Sequence, residues 1–134
     1  MSDRPGGFPY DRAAAQELAD SGYEYTRGFT STVAGVTFRN QDGTSREMFI
    51  RQLREGQSLE LGKVQVKGHP NAIGIFIGRG KQVGFIPKDL AAEMTDDFAR
   101  GDRFLCYVDQ LTGGTTDKPT RGVVVRIEHY RRNT

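Results

Sequence analysis

SLELGKVQVKGHPNAIGIFIGRGKQVGFI, residues 58–86, is the stretch that decides the fold. Leu59 and Leu61 alternate with polar residues, the period of a strand that buries one face. Val64 and Val66 continue in the opposite phase, and the slip at Gly62-Lys63 reads as a β-bulge. Ile73, Ile75 and Ile77 mark the next strand, and Gly78-Arg79-Gly80 makes a tight turn into a further strand, Val83 to Ile86. Connections this short suit strands that pair as antiparallel neighbours.

Upstream, Phe29 to Arg39 is rich in Thr, Val and Phe and reads as a strand with Gly35 as its bend. Asp42-Gly43 is a turn. Thr44 and Glu47 then stand at capping-box spacing before a short helix whose buried stripe is Phe49, Ile50 and Leu53, stopped at Gly56. Downstream, Pro87 opens a second helix with the stripe Leu90, Met94 and Phe98, closed by Gly101. Two more strands follow, Arg103 to Leu111 and Gly122 to Tyr130, joined by the polar loop Thr112 to Thr120. Helices this short cannot cover both faces of a parallel sheet, which excludes a doubly wound fold. The expected architecture lies between all-β and α+β: a small antiparallel β-barrel carrying two short helices. Residues 29–130 form that domain. Residues 1–28 form an N-terminal extension in which Pro5, Gly6, Gly7 and Pro9 keep the start irregular. Asp11 would cap a short helix there, ended by Gly22, and residues 131–134 are a basic C-terminal tail.

The net charge of +2 is unevenly spread. Residues 1–26 carry Asp3, Asp11, Glu17, Asp20 and Glu24 against Arg4 and Arg12, a net of −3, which leaves +5 on the rest. Such a body attracts a polyanion best at short range, where individual Arg and Lys positions matter. Cys106 is the single cysteine, so an internal disulfide is excluded and a thiol-reducing compartment fits. The longest mostly apolar run, Ala72 to Ile77, is too short to cross a bilayer. The N-terminus lacks the charged-then-apolar order of a secretory signal. A cytoplasmic location is expected.

Catalytic chemistry finds little support. Gly78, Gly80 and Gly84 lack the spacing of a phosphate loop, and Lys81 is followed by Gln82 rather than Ser or Thr. His69 and His129 are not at metal-ligand spacing with each other or with Cys106, so no metal and no cofactor is expected. Cys106, between Phe104 and Val108 on an apolar strand face, reads as a buried structural thiol. Asp96 and Asp97 read as the solvent face of the second helix. The residues point to a binding module and not to an enzyme. Small barrels bind single strands by stacking bases on aromatic rings while Lys and Arg track phosphates. Phe38 and Arg39, the loop Lys67 to Asn71, and Phe76, Lys81, Phe85 and Lys88 supply those residue types.

Several segments together resemble the HIRAN domain, found in some eukaryotic repair helicases and as a free-standing protein in bacteria and phages. They are Val33-Ala34-Gly35-Val36-Thr37-Phe38, Asp42-Gly43-Thr44-Ser45-Arg46, Leu59-Glu60-Leu61, Asn71-Ala72-Ile73, Val83-Gly84-Phe85-Ile86-Pro87 and Asp89-Leu90-Ala91. The resemblance implies an OB-like barrel of about six strands with two small helices. It also implies binding of single-stranded DNA or DNA ends in a repair or processing context. In the eukaryotic version an aromatic on the first strand stacks on a base, and a Tyr-Asp pair before the Asn-Ala-Ile segment holds the terminal nucleotide. Phe38 matches the aromatic and Asn71 is kept. Gly68 and His69 replace the Tyr-Asp pair, and Thr37 replaces a basic residue. Gly68 offers no stacking face, and neutral His69 is a poorer acceptor for a hydroxyl than a carboxylate.

The expected nucleic-acid contacts are therefore Thr37, Phe38, Arg39, Gly68, His69, Asn71, Lys81 and Lys88. The alternative from another class is a protein-interaction barrel within a larger assembly, with no nucleic-acid binding.

Overall fold

The computed structural model describes residues 12–132. The irregular start and the cap at Asp11 fall outside them, as do Asn133 and Thr134. In chain order the elements are α1 (Arg12–Asp20), β1 (Tyr23–Thr32), α2 (Arg46–Ile50), β2 (Ser58–Lys63), β3 (Ile73–Phe76), β4 (Gln82–Phe85), α3 (Lys88–Ala99), β5 (Arg103–Thr112) and β6 (Gly122–Arg132). β6 thus runs through Arg131 and Arg132, which pair with Glu24 and Tyr23 of β1. Among the described residues no helix is long and apolar enough to cross a membrane.

The strands form one antiparallel sheet in the order β1-β6-β5-β2-β3-β4. The result is a small OB-like α+β fold, and the expected closed barrel is corrected to an open sheet. Closure would need β1 to pair along β4. Instead β1 stops at Thr32, and a single bridge follows, in which Ala34 and Phe85 exchange N–H···O bonds of 2.8 and 2.9 Å. Gly84 permits that approach. A Cβ on it would stand 2.5 Å from the Ala34 carbonyl oxygen, inside van der Waals contact.

β2 carries no bulge. Glu60, Leu61, Gly62 and Lys63 pair in unbroken register with Phe76, Ile75, Gly74 and Ile73. The phase change at Val64 is the end of the strand, because Val66 bridges His69 across a turn. Ile73 and Ile75 alternate inward as expected, 2% and 0% exposed. They meet Val83, Val108, Val125 and Ile127 in one core, closed by Ile50 and Leu53 around α2 and Met94 of α3. Gly78 and Gly80, at φ +60° and +72°, turn β3 into β4.

Three local details differ from the expected ones. Phe98, expected in the buried stripe of the second helix, is 38% exposed near that helix's end, while Met94 is buried. The first strand covers Tyr23–Thr32 rather than Phe29–Arg39, so Phe38 and Arg39 lie in the connection after it. The helix α2 is capped by Ser45, whose Oγ accepts the Met48 N–H at 3.3 Å. Thr44 precedes the cap and serves the turn before it, its hydroxyl donating to Asp42 and accepting from Asn40 Nδ2.

Candidate functional site

The connection 35–40 stands on glycine chemistry. Gly35 has φ +71°, and a Cβ there would meet Arg46 Nη1 at 3.1 Å and the Phe85 ring at 3.2 Å. The Phe38 N–H donates to the Gly35 carbonyl at 3.2 Å and closes a turn. That turn holds Phe38 outward with 68% of its surface exposed. At the far end Asn40 is tied to the sheet, with Nδ2 donating to the Gln82 carbonyl at 3.0 Å.

Phe38 stands over a groove of about 370 Å³. One wall is the turn Val66–His69 with Pro70, Asn71 and Ala72, in which Gly68 adopts φ +80°. The floor is Ala34, Gly35, Phe85 and Ile86, and the start of α3 supplies Lys88, Asp89, Ala91 and Ala92. Pro87 caps that helix without a side-chain hydrogen bond. The lining is mainly apolar, with His69, Asn71, Lys88 and Asp89 as its polar side chains, the composition of a ligand groove.

Five of the eight residues expected from sequence are gathered here: Phe38, Gly68, His69, Asn71 and Lys88. Thr37 is exposed beside Phe38 without lining the groove. Arg39 and Lys81 lie outside it. Arg39 donates to the Gly43 carbonyl at 2.9 Å, and Lys81 sits exposed beside Gln82, to which Asn40 is bonded. Sequence reasoning missed Arg46 and Asn40. Arg46 is 6% exposed, its Nε donates to Asn40 Oδ1 at 2.7 Å, and its Nη1 donates to the Gly35 carbonyl at 2.8 Å. Burial draws its pKa down from the ordinary arginine value. Its place as the first residue of a short helix gave no signal of burial.

A second groove of about 670 Å³ shares no lining residue with the first. Phe76, Arg79, Phe98, Arg103 and Phe104 contribute to it. It opens where β2 and β5 part, since their pairing stops at Leu59↔Cys106 before β2 turns to β3. Cys106 is buried, and burial pushes its thiol pKa well up, as a structural thiol requires.

Spacing alone did not reveal that Asp97, Asp102 and His129 come together within 4.8 Å. His129 Nε2 is 2.8 Å from Asp102 Oδ2, its Nδ1 is 2.9 Å from Thr26 Oγ1, and its ring stacks on Phe104 at 4.7 Å. Arg100 Nη2 contacts both carboxylates. The Thr26 hydroxyl also donates to the His129 carbonyl at 3.1 Å. With each ring nitrogen engaged, the cluster ties β1, β6 and the α3–β5 corner together. Burial raises the Asp102 pKa, but the hydrogen bond and charge of His129, joined by Arg100, outweigh it and hold the carboxyl below its ordinary value.

No protein-family model matches the chain, and no curated protein matches it in sequence. A solved structure does match: the HIRAN domain of human HLTF, at 15% identity and a TM-score of 0.61. The match covers 84% of this chain and 82% of that one. The likeness agrees with the six-stranded OB-like fold that the resemblance implied, except that the sheet here stays open where a closed barrel was expected.

Proposed function

We propose that this domain binds single-stranded nucleic acid, DNA foremost, in the groove beneath Phe38, and serves a DNA repair or processing step. The observation that carries the reading is Phe38 itself, an aromatic ring 68% exposed and fixed by a closed turn over a preformed groove. A nucleobase stacks on such a ring regardless of sequence. Lys88 lines the groove and the exposed Arg39 and Lys81 lie outside it, cations available to the phosphates, and Asn71 can donate and accept at a base or sugar edge. The HIRAN likeness supports the same reading. Because Gly68 and His69 stand where the resemblance implies a Tyr-Asp pair, blocking a 3′ hydroxyl is expected to weaken binding only slightly.

The test is an anisotropy titration of a labelled single-stranded oligonucleotide at two salt concentrations. Affinity that falls steeply with salt supports the reading. The absence of binding at low salt refutes it. The second groove favours the alternative, a protein-interaction surface, because Phe98 lies 38% exposed on it beside Arg79 and Arg103. A mainly apolar protein interface would show little salt dependence.

A further inference from the structure

Arg46 is a buried cation that lies near the proposed site without lining it. Its two hydrogen bonds reach both ends of the connection that carries Phe38, the Gly35 carbonyl at 2.8 Å and Asn40 Oδ1 at 2.7 Å. Its guanidinium lies 4.7 Å from the centre of the Phe85 ring, which forms the groove floor. Asn40 passes the restraint on, donating Nδ2 to the Gln82 carbonyl of β4 and to Thr44 Oγ1. One side chain thus fastens the Phe38 turn to α2, to the groove floor and, through Asn40, to the sheet.

Stability alone is a poor explanation for this cation. Burying a guanidinium costs desolvation, and among the described residues no carboxylate pairs with it. An apolar side chain of similar volume would fill the space at lower cost. What the guanidinium does that an apolar group cannot is hold two oxygens, those of Gly35 and Asn40, at fixed positions on either side of Phe38.

We propose that Arg46 is the positioning residue of the groove: it fixes the Phe38 ring in its stacking orientation and never touches the ligand. This rests on the nucleic-acid reading above. Arg46→Met keeps the volume and removes the donors. Oligonucleotide affinity then falls roughly tenfold, the scale of losing hydrogen bonds to a charged group. The salt dependence of binding stays as in the wild type, because no phosphate contact is lost. In a Phe38→Ala background the same substitution causes no further loss, since its effect passes through the ring. In the free protein, amide hydrogen exchange quickens at Phe38 and Asn40 but not at Ile75 or Val125.

A salt slope lowered by about one unit would overturn the proposal by making Arg46 a phosphate contact. So would an equal loss in the Phe38→Ala background, or unchanged exchange at Phe38 and Asn40. If exchange quickens but the wild type binds no oligonucleotide, the nucleic-acid reading fails and Arg46 is confined to holding the loop. Should Arg46→Met fail to fold, Asn40→Ala removes the same link from the loop side and carries the same expectations.

Discussion

Phe38→Ala separates binding from folding. The ring is 68% exposed and packs on little, so its removal leaves stability within about 0.5 kcal/mol, the range of an ordinary surface substitution. For a domain of this size that moves the thermal midpoint by no more than a few degrees, about 4 °C at most. Base stacking on an aromatic ring contributes about 1–3 kcal/mol. The variant should therefore bind a short single strand about 5- to 150-fold more weakly than wild type. Anisotropy with one labelled oligonucleotide at low salt measures the first quantity, and thermal denaturation without ligand measures the second. Equal affinity in the two proteins would refute the stacking role. A midpoint that dropped together with affinity would refute the separation, because Phe38 would then be part of the core.

The remaining predictions concern the core, the cations and pH. Ile75→Asp places a carboxylate at a position 0% exposed and should unfold the domain, which circular dichroism would report. A retained cooperative melt would contradict the strand phase. Arg39→Ala and Lys81→Ala should each lower the slope of log K against log salt by roughly one unit, and an unchanged slope would remove that residue from the phosphate path. Asp102 has its pKa held down in the folded state, so its contribution is present above the unfolded carboxylate value of about 4 and is lost as pH falls below it. The thermal midpoint should decline over that acid window in wild type and decline less steeply in Asp102→Asn. Parallel profiles would show that the His129 pair adds nothing.

The strands around Ile73 and Ile75 were legible because a period of two, closed by Gly78 and Gly80, is a local signal. The open sheet was not. Whether β1 meets β4 along a ladder or at one bridge depends on how the chain bends after Thr32. That bend is set by Gly35 packing against Arg46 and Phe85, which sequence distance hides. The composition of Val33 to Phe38 suits a strand, and this tertiary restraint overrides it. The groove was partly legible because four of the six segments that carry the HIRAN resemblance, those holding Phe38, Asn71, Phe85 and Asp89, contribute to its lining. The Arg46 clamp and the pairing of Thr26, Asp102 and His129 were not. His129 lies 103 residues from Thr26 and 27 from Asp102, and neither pair has a motif.

Where a single strand binds is read out by a map of amide chemical shifts as an oligonucleotide is titrated into isotopically labelled protein. Shifts are expected to concentrate at Gly35 to Phe38, His69 to Ala72 and Lys88 to Ala92, with Phe76, Arg79, Phe98 and Arg103 unmoved. Shifts centred on that second set, with the Phe38 groove silent, would contradict this placement.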